Sequence, residues 1–382
     1  MELKNLYQNL MNLCLDEKYE ESFFFKDFTL DDKVYRIFNY RLVSWTTFQE
    51  APDAKKCRGT MFEISGDEPV LVCLPPDKFF NYAEGGVDHK KAAEQSIIYI
   101  HEKLDGSLIS TYNHHGKLRL KSKGSIASIQ AVEAMQWLDL PENDDLRLDL
   151  ERLTVLNNCT VNLEWTGPQN RIVIGYEKPE LRALSIINNF TGQVAIGFSI
   201  ADGMTLPFVQ RYNRDDFIKG AELEEIVEQM YEETSGEGYV ISFFGFNDAF
   251  YQVKVKNHTY CNLHKIKDSI SNPEALAELI IRGGVDDVYE MFSDDDITIN
   301  LIEDMENKIV PIFNHMVATT EMFYNTNKNL TRKEYAIKAI DEAEMLMPLL
   351  MNLYIERAIS YEDFSVRNLH KIFGVKNVQK TN

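Results

Sequence analysis

The residues best suited to chemistry are those of Lys103-Leu-Asp-Gly-Ser-Leu108, set between the apolar runs Ile97-Ile-Tyr-Ile100 and Leu108-Ile-Ser-Thr-Tyr112. Both runs have the composition of β-strands, so a lysine closes one strand and an Asp-Gly turn leads into the next. An amine held at the mouth of a sheet suits covalent chemistry. Lysine becomes a nucleophile when burial or neighbouring cations make its ammonium costly, because at an ordinary value of about 10.4 only ~0.04 % is neutral at pH 7. The same six residues also describe a plain hairpin with an exposed lysine before its turn. What separates the two readings is what the rest of the chain brings.

Two further stretches concentrate cations. In Lys117-Leu-Arg-Leu-Lys-Ser-Lys123 the two-residue period of a strand sends Leu118 and Leu120 to one face and Lys117, Arg119, Lys121 and Lys123 to the other. In Tyr251-Gln-Val-Lys-Val-Lys256 it sends Val253 and Val255 inward and aligns Gln252, Lys254 and Lys256. Like charges on one strand face repel unless solvent or an anion lies over them, and for the first stretch a solvated outer face is an equal reading. Carboxylates occupy matching positions: Glu164 opposite Val161, Leu163 and Trp165 in Thr160-Val-Asn-Leu-Glu-Trp165, and Glu237 in Gly236-Glu-Gly-Tyr-Val240. Arg58 beside Gly59 is an anion contact or a surface arginine at a strand start. Lys78 precedes Phe79 and Phe80, which read as core. One anionic, metal-bound ligand would satisfy all of these charges.

The elements that position them follow from periodicity. Leu3, Leu6, Leu10 and Leu13 recur at helical spacing and predict an amphipathic helix ending near Asp16. Val34 to Tyr40, a stretch from Cys57 to Glu63, Val70 to Leu74, Ala183 to Ile187, Val194 to Phe198 and Tyr239 to Phe244 read as strands. Glu133 to Leu156 reads as helix interrupted at Pro141. Beyond Cys261 the pattern is helical: Asn272-Pro273 opens one helix, Thr331-x-x-Glu334 is a capping box, and Pro311 should kink or split the stripe Ile302, Met305, Ile309, Ile312 and Met316. The fold class expected is α+β, with an antiparallel-sheet domain over residues 1–270 and an all-helical domain over 271–382.

Composition bounds the partners. The 382 residues carry a net charge of −20, so a nucleic-acid site must be a local basic patch. Five scattered cysteines without a Cys-x-x-Cys pair suggest neither a disulfide framework nor zinc, and fit a reducing cytoplasm. With no apolar run of membrane-spanning length and no signal pattern, export and membrane insertion are not expected. A Walker A sequence is absent, which removes P-loop ATPases.

The constellation resembles the covalent nucleotidyltransferases, the superfamily of ATP-dependent polynucleotide ligases and mRNA capping enzymes, whose lysine sits in Lys-x-Asp-Gly. More narrowly it is similar to the phage tRNA-repair RNA ligases, the RNA ligase 1 group. The likeness runs through Tyr35-Arg-Ile-Phe38, Cys57-Arg-Gly59, Lys78-Phe-Phe-Asn81, Lys103 to Leu108, Lys121-Ser-Lys-Gly-Ser125, Asn170-Arg-Ile-Val173, Glu237-Gly-Tyr-Val240 and Lys254-Val-Lys256. It implies that the first domain is an adenylation domain in which Lys103 attacks the α-phosphate of ATP and carries AMP. Tyr40, Arg58, Lys78 and Lys123 would contact nucleotide and triphosphate, Glu164 the nucleoside, and Lys254 and Lys256 the α-phosphate. Glu237 and Asp286 would meet Mg²⁺, with Mn²⁺ as the alternative.

The implied substrate is RNA with 5′-phosphate and 3′-hydroxyl ends, above all a broken tRNA anticodon loop, selected by the helical domain, whose basic residues gather at Arg367, Lys371, Lys376 and Lys380. A cytoplasmic monomer is expected, in a host cell if the chain is phage-encoded. Two departures stand out. The second position of the usual Lys-Glu-Asp-Gly is Leu104, and no adenine-stacking aromatic can be assigned, Tyr176 being a guess. A DNA ligase or capping guanylyltransferase would share the lysine chemistry, but a small β-barrel generally follows it there, where this chain turns helical. A non-catalytic RNA-binding protein on the same scaffold would have no need of every charged position.

Overall fold

The computed structural model describes residues 3–376 apart from 42, 52, 83, 85–95, 196–203, 205 and 245–249, so Lys380 and most of the strand expected at Val194 to Phe198 lie outside the described residues. Its contacts divide the chain into two units, Met1–Cys261 and Asn262–Asn382.

The first unit is built from strands β1 (Phe23–Leu30), β2 (Lys33–Tyr40), β3 (Met61–Glu63), β4 (Val70–Cys73), β5 (Phe80–Asn81), β6 (Ser96–Glu102), β7 (Ser107–His114), β8 (Lys117–Ser122), β9 (Cys159–Thr166), β10 (Glu180–Asn188), β11 (Arg211–Tyr212), β12 (Gly238–Phe244) and β13 (Phe250–Lys256). They form three sheets, ordered β1-β2-β3-β4, β10-β9-β7-β8 and β11-β6-β12-β13-β5. Among the described residues these strands pair antiparallel except for β13 with β5.

Each sheet spends one face on packing. The second sheet puts Leu118, Leu120, Val161, Leu163 and Trp165 against the helices Ile129–Leu138 and Asp144–Glu151 through Ala134, Leu138 and Leu150. Burying each of the large apolar side chains contributes about 1.5–3 kcal/mol. The third sheet buries Ile100, Ile241, Phe243, Val253 and Val255 under the helix Leu223–Glu232. Because side chains alternate, the same strands turn His101, Val240, Lys254, Lys256 and Glu164 the other way. Those polar faces are left for a site.

The first sheet packs Phe23, Phe38 and Phe62 with Leu6, Leu10 and Leu13 of the predicted N-terminal helix, Leu6–Leu15. Its other face meets the second sheet through Tyr35, Ile37, Met61, Cys73 and Tyr112. A polar pin joins the hairpins of these two sheets: the Tyr35 hydroxyl lies 2.7 Å from His114 Nδ1, and Asp31 Oδ2 lies 2.9 Å from its Nε2. Strand β1 had no periodic signature, since Phe23-Phe-Phe-Lys-Asp-Phe28 is apolar on both faces where it pairs with β2.

The fold narrows two readings that the sequence left open. The face assigned to Lys117, Arg119, Lys121 and Lys123 is not a solvated ladder: Lys121 is fully buried, while Lys117 is exposed. In the second unit the helix Asp296–Asn327 runs unbroken through Pro311. The proline removes the donor for the carbonyl of Asn307, but both residues are exposed, so water can satisfy that oxygen. The other helices of this unit include Pro273–Ile281, Asp286–Met291, Arg332–Ala343, Met347–Tyr354, Tyr361–Arg367 and Leu369–Phe373, and the described residues from 262 onward contain no strand. The helix His258–Ile270 precedes them, so helical structure begins before residue 271. Ile270, Leu276, Ile280, Phe292, Ile302 and Ile309 form the core of this unit.

Candidate active site

Lys103 follows the last residue of β6, its amide donating to the carbonyl of Gly238 at 2.8 Å. The Asp105-Gly106 turn then carries the chain from the third sheet into β7 of the second. The plain-hairpin reading is thereby excluded, because β6 and β7 belong to different sheets. Gly106 is required by space: a Cβ there would lie 2.4 Å from the carbonyl oxygen of Trp165.

Asp105 does structural work. Its Oδ2 accepts from the amides of Val173 and Ile174 at 2.7 and 2.8 Å, and its Oδ1 accepts from the Tyr260 hydroxyl at 2.6 Å. The Asp105 amide donates to the hydroxyl of Tyr176 at 2.9 Å, so Tyr176 helps to hold the Asp-Gly turn.

The side chain of Lys103 ends on a buried carboxylate. Its Nζ donates to Glu237 Oε2 at 2.7 Å, and the other oxygen, Oε1, pairs with Lys256 Nζ at 2.8 Å. Glu237 is only 3 % exposed, and the turn before β12 holds it there. Asn257 caps that turn through the carbonyls of Ser235 and Gly236 at 3.1 and 2.9 Å. Gly238, at φ 133°, passes so close to β13 that a Cβ would lie 2.1 Å from the Val255 carbonyl oxygen.

Between the polar faces of the second and third sheets lies a cavity of about 290 Å³ whose walls include Tyr40, Arg58, Lys78, Lys103, Glu164, Lys254 and Lys256. Lys123 stands behind this wall with its ammonium 4.1 Å from the Tyr40 ring centroid, and Lys78 approaches the same ring at 5.7 Å. Arg58 lies over Phe79, 5.5 Å from its centroid, so Phe79 is a wall residue while Phe80 is core as expected. Among the residues proposed from sequence, Asp286 belongs to the second unit, exposed at the start of the helix Asp286–Met291.

The cavity crowds like charges away from water, and the ionisations respond. Burial, then Lys78, Lys256 and Lys103, pull the Lys254 ammonium down to about 8. Burial also lowers Lys78, Lys123 and Arg58. The carboxyl of Glu164 is pushed up to about 7, mainly by burial, against the opposing pull of Lys103. Such a space attracts a polyanion, whose charge would repay the repulsion.

Several lining residues carried no signal in the sequence. His101 is buried, which lowers it to about 4 and keeps the imidazole neutral at pH 7. Leu184 and Ser185 reach the wall at a register shift between Ala183 and Ser185, a bulge that period-2 reading cannot anticipate. Gln252, by contrast, stands where alternation put it beside Lys254 and Lys256, its amide donating to Ser242 Oγ at 3.1 Å.

Among the described residues no group of three or more His, Cys, Asp or Glu side chains is placed to hold a metal ion. The carboxylate of Glu237 is nonetheless an oxygen donor of the type that would hold a hard divalent cation, which would supply positive charge beside a phosphate.

A lysine at the crossing of two antiparallel sheets, facing a cationic cavity sized for a nucleotide, defines the class as a nucleotidyltransferase. Comparison with known proteins narrows the class: the chain belongs to the RNA ligase family, whose model, described as RNA ligase, matches residues 56–260. A second model, described as T4 RNA ligase 1, C-terminal domain, matches residues 267–381. A protein of Autographa californica nuclear polyhedrosis virus, named as a bifunctional polynucleotide kinase/RNA ligase, is 30 % identical over 300 residues, which are 74 % of this chain and 40 % of that one. An RNA ligase by name from Thermovibrio ammonificans is 25 % identical over 254 residues, 66 % of this chain and 64 % of its own. The RNA ligase of Rhodothermus phage RM378 is 22 % identical over 347 residues, covering 75 % of this chain and 78 % of its own. The matched region is thus less than two thirds of the length of the first two relatives.

Proposed function

We propose that the protein is an ATP-dependent RNA ligase that joins 5′-phosphate and 3′-hydroxyl RNA ends, with residues 1–270 as the adenylation domain. The observation that carries this reading is Lys103 Nζ at the wall of the cationic cavity, 2.7 Å from a buried carboxylate that it shares with Lys256. Glu237 Oε2 is the base in place to take the proton that the amine must lose. The neutral amine attacks the α-phosphorus of ATP, the bond to pyrophosphate breaks, and AMP remains on Nζ. Lys254, Lys256, Lys78 and Arg58 neutralise the triphosphate, and Glu164 faces the nucleoside. Mg²⁺, held by Glu237, would offset phosphate charge when bound. The RNA 5′-phosphate then takes AMP from the lysine, and a 3′-hydroxyl displaces AMP to close the phosphodiester.

Incubation with α-labelled ATP, in parallel with α-labelled GTP, tests the reading through label retained on the protein in a denaturing gel. Label from ATP is expected. Label from GTP would make the protein a capping-type guanylyltransferase, and label from neither would end the assignment.

The broken tRNA anticodon loop is the substrate we favour, with the helical residues 271–382 choosing it. The match of this region to the T4 RNA ligase 1 C-terminal domain and the exposure of Arg367, Lys371 and Lys376 support that choice. Competition between nicked tRNA and a linear oligonucleotide, in the wild type and in a triple Arg367→Ala, Lys371→Ala, Lys376→Ala variant, checks it. The preference for tRNA should fall in the variant while label from ATP persists.

A further inference from the structure

We infer that Lys121 is a positioning residue for the nucleotide wall, acting through the carbonyl of Gly59 to set the neighbouring Arg58 guanidinium in the cavity. The inference rests on reading that cavity as the ATP site. Lys121, on β8, is 0 % exposed, and its Nζ donates to the Gly59 carbonyl oxygen at 2.8 Å.

The turn it grips is held from two sides. The Gly59 amide donates to the Phe38 carbonyl of β2 at 2.8 Å. Gly59 has φ +97°, in the region that favours glycine, and a Cβ there would lie 2.6 Å from the Lys123 carbonyl oxygen and 3.2 Å from Lys121 Nζ. Asn39 closes the frame by donating from Nδ2 to that Lys123 oxygen at 3.0 Å. The residues on this frame are the ones that shape one wall: Tyr40 follows Asn39, Arg58 precedes Gly59, and Lys123 lies over the Tyr40 ring. Arg58 meets the Pro76 carbonyl oxygen at 3.4 Å, the face of Phe79 and the hydroxyl of Tyr40, itself a neighbour of Asn39 on the same frame.

Packing does not explain a lysine here. Burying an ammonium is costly, and an apolar residue of similar volume usually serves a core at least as well. What the lysine alone supplies is a donor long enough to reach from β8 to the Gly59 carbonyl, past the Cys73 thiol, which faces the ammonium from β4. The same burial removes Lys121 from consideration as a nucleophile.

The test is a double-mutant cycle on ATP affinity, measured by titration calorimetry in full-length protein carrying Lys103→Ala so that no transfer occurs. Lys121→Met and Arg58→Ala should each weaken binding about tenfold, as expected for losing a charged hydrogen bond or what depends on it. With Arg58→Ala already present, Lys121→Met should weaken it by less than about twofold further. A merely structural lysine would instead multiply the two losses, and that result, or wild-type affinity in Lys121→Met, overturns the inference. Should Lys121→Met fail to fold in a thermal melt, Lys121→Gln, which keeps a shorter donor, takes its place in the same cycle. If the Lys103→Ala protein binds no ATP at all, the ATP reading fails and takes this inference with it; additive losses with intact binding leave that reading standing.

Discussion

Strands β8 and β13 carry the same sequence device, cations at alternate positions facing away from apolar residues, and the fold gives them different tasks. On β13, Lys254 and Lys256 both line the cavity, one drawn down by burial and then by its cationic neighbours, the other paired with Glu237. On β8 the device is split: Lys117 is exposed, Lys121 is buried on the Gly59 carbonyl, and Lys123, just past the strand end, sits on the ring of Tyr40. The difference comes from what covers each strand. The face of β13 opposite its core lines the cavity between two sheets, whereas the corresponding face of β8 is covered at Lys121 by the turn at Arg58 and Gly59 and is open at Lys117. A shared pattern therefore marks a polar strand face without saying whether solvent, ligand or protein lies over it.

The largest effect should come from the residue that faces the β13 lysines across Glu237. Lys103→Ala is expected to abolish label from ATP, yet to seal RNA supplied already 5′-adenylated, because the closing step needs no lysine nucleophile. Retained label would move the nucleophile elsewhere, with Lys123 as the next candidate and Lys121 excluded by its burial.

Next in size are the β13 lysines themselves. Lys254→Ala and Lys256→Ala should lower the adenylation rate by about a hundredfold or more, as for groups that neutralise charge in transfer, while both variants still unfold cooperatively in chemical denaturation. Near-normal labelling in both would make β13 a second solvated face and erase the contrast with β8.

A pH profile sharpens the same point. Since Lys254 titrates near 8 in the folded protein, ATP affinity should decline as pH rises through about 8, and Lys254→Arg should hold its affinity to higher pH. Stability has the opposite sign. The folded value lies below that of an unfolded lysine, so between about 8 and 10.4 the unfolded chain binds more protons and the Lys254 contribution to stability rises with pH. Lys254→Met should remove that rise in urea melts, and an unchanged pH slope would show that Lys254 is not desolvated in solution.

The smallest effect is expected on the outer end of β8. Lys117→Ala should leave labelling within about twofold and stability within about 0.5 kcal/mol. A large loss at this exposed position would mean that β8, too, presents its cations to a ligand.

The amino-acid order by itself determined a good deal. The Lys-x-Asp-Gly turn, the placement of Glu164 and Glu237 on polar strand positions, the aligned Lys254 and Lys256, and the change from alternating to helical periodicity all follow from spacing that is local in the chain. What only the tertiary structure decided is which of those polar positions meet. Glu237 joins Lys103 to Lys256 by bonds between distant segments, Asp105 turns away to the amides of Val173 and Ile174, and a bulge in β10 delivers Leu184 to the wall. Alternation sorts side chains into two faces, but the environment of a face is set by the strands, turns and helices that pack on it, and for Lys121 that environment is the carbonyl of a glycine in the turn before β3.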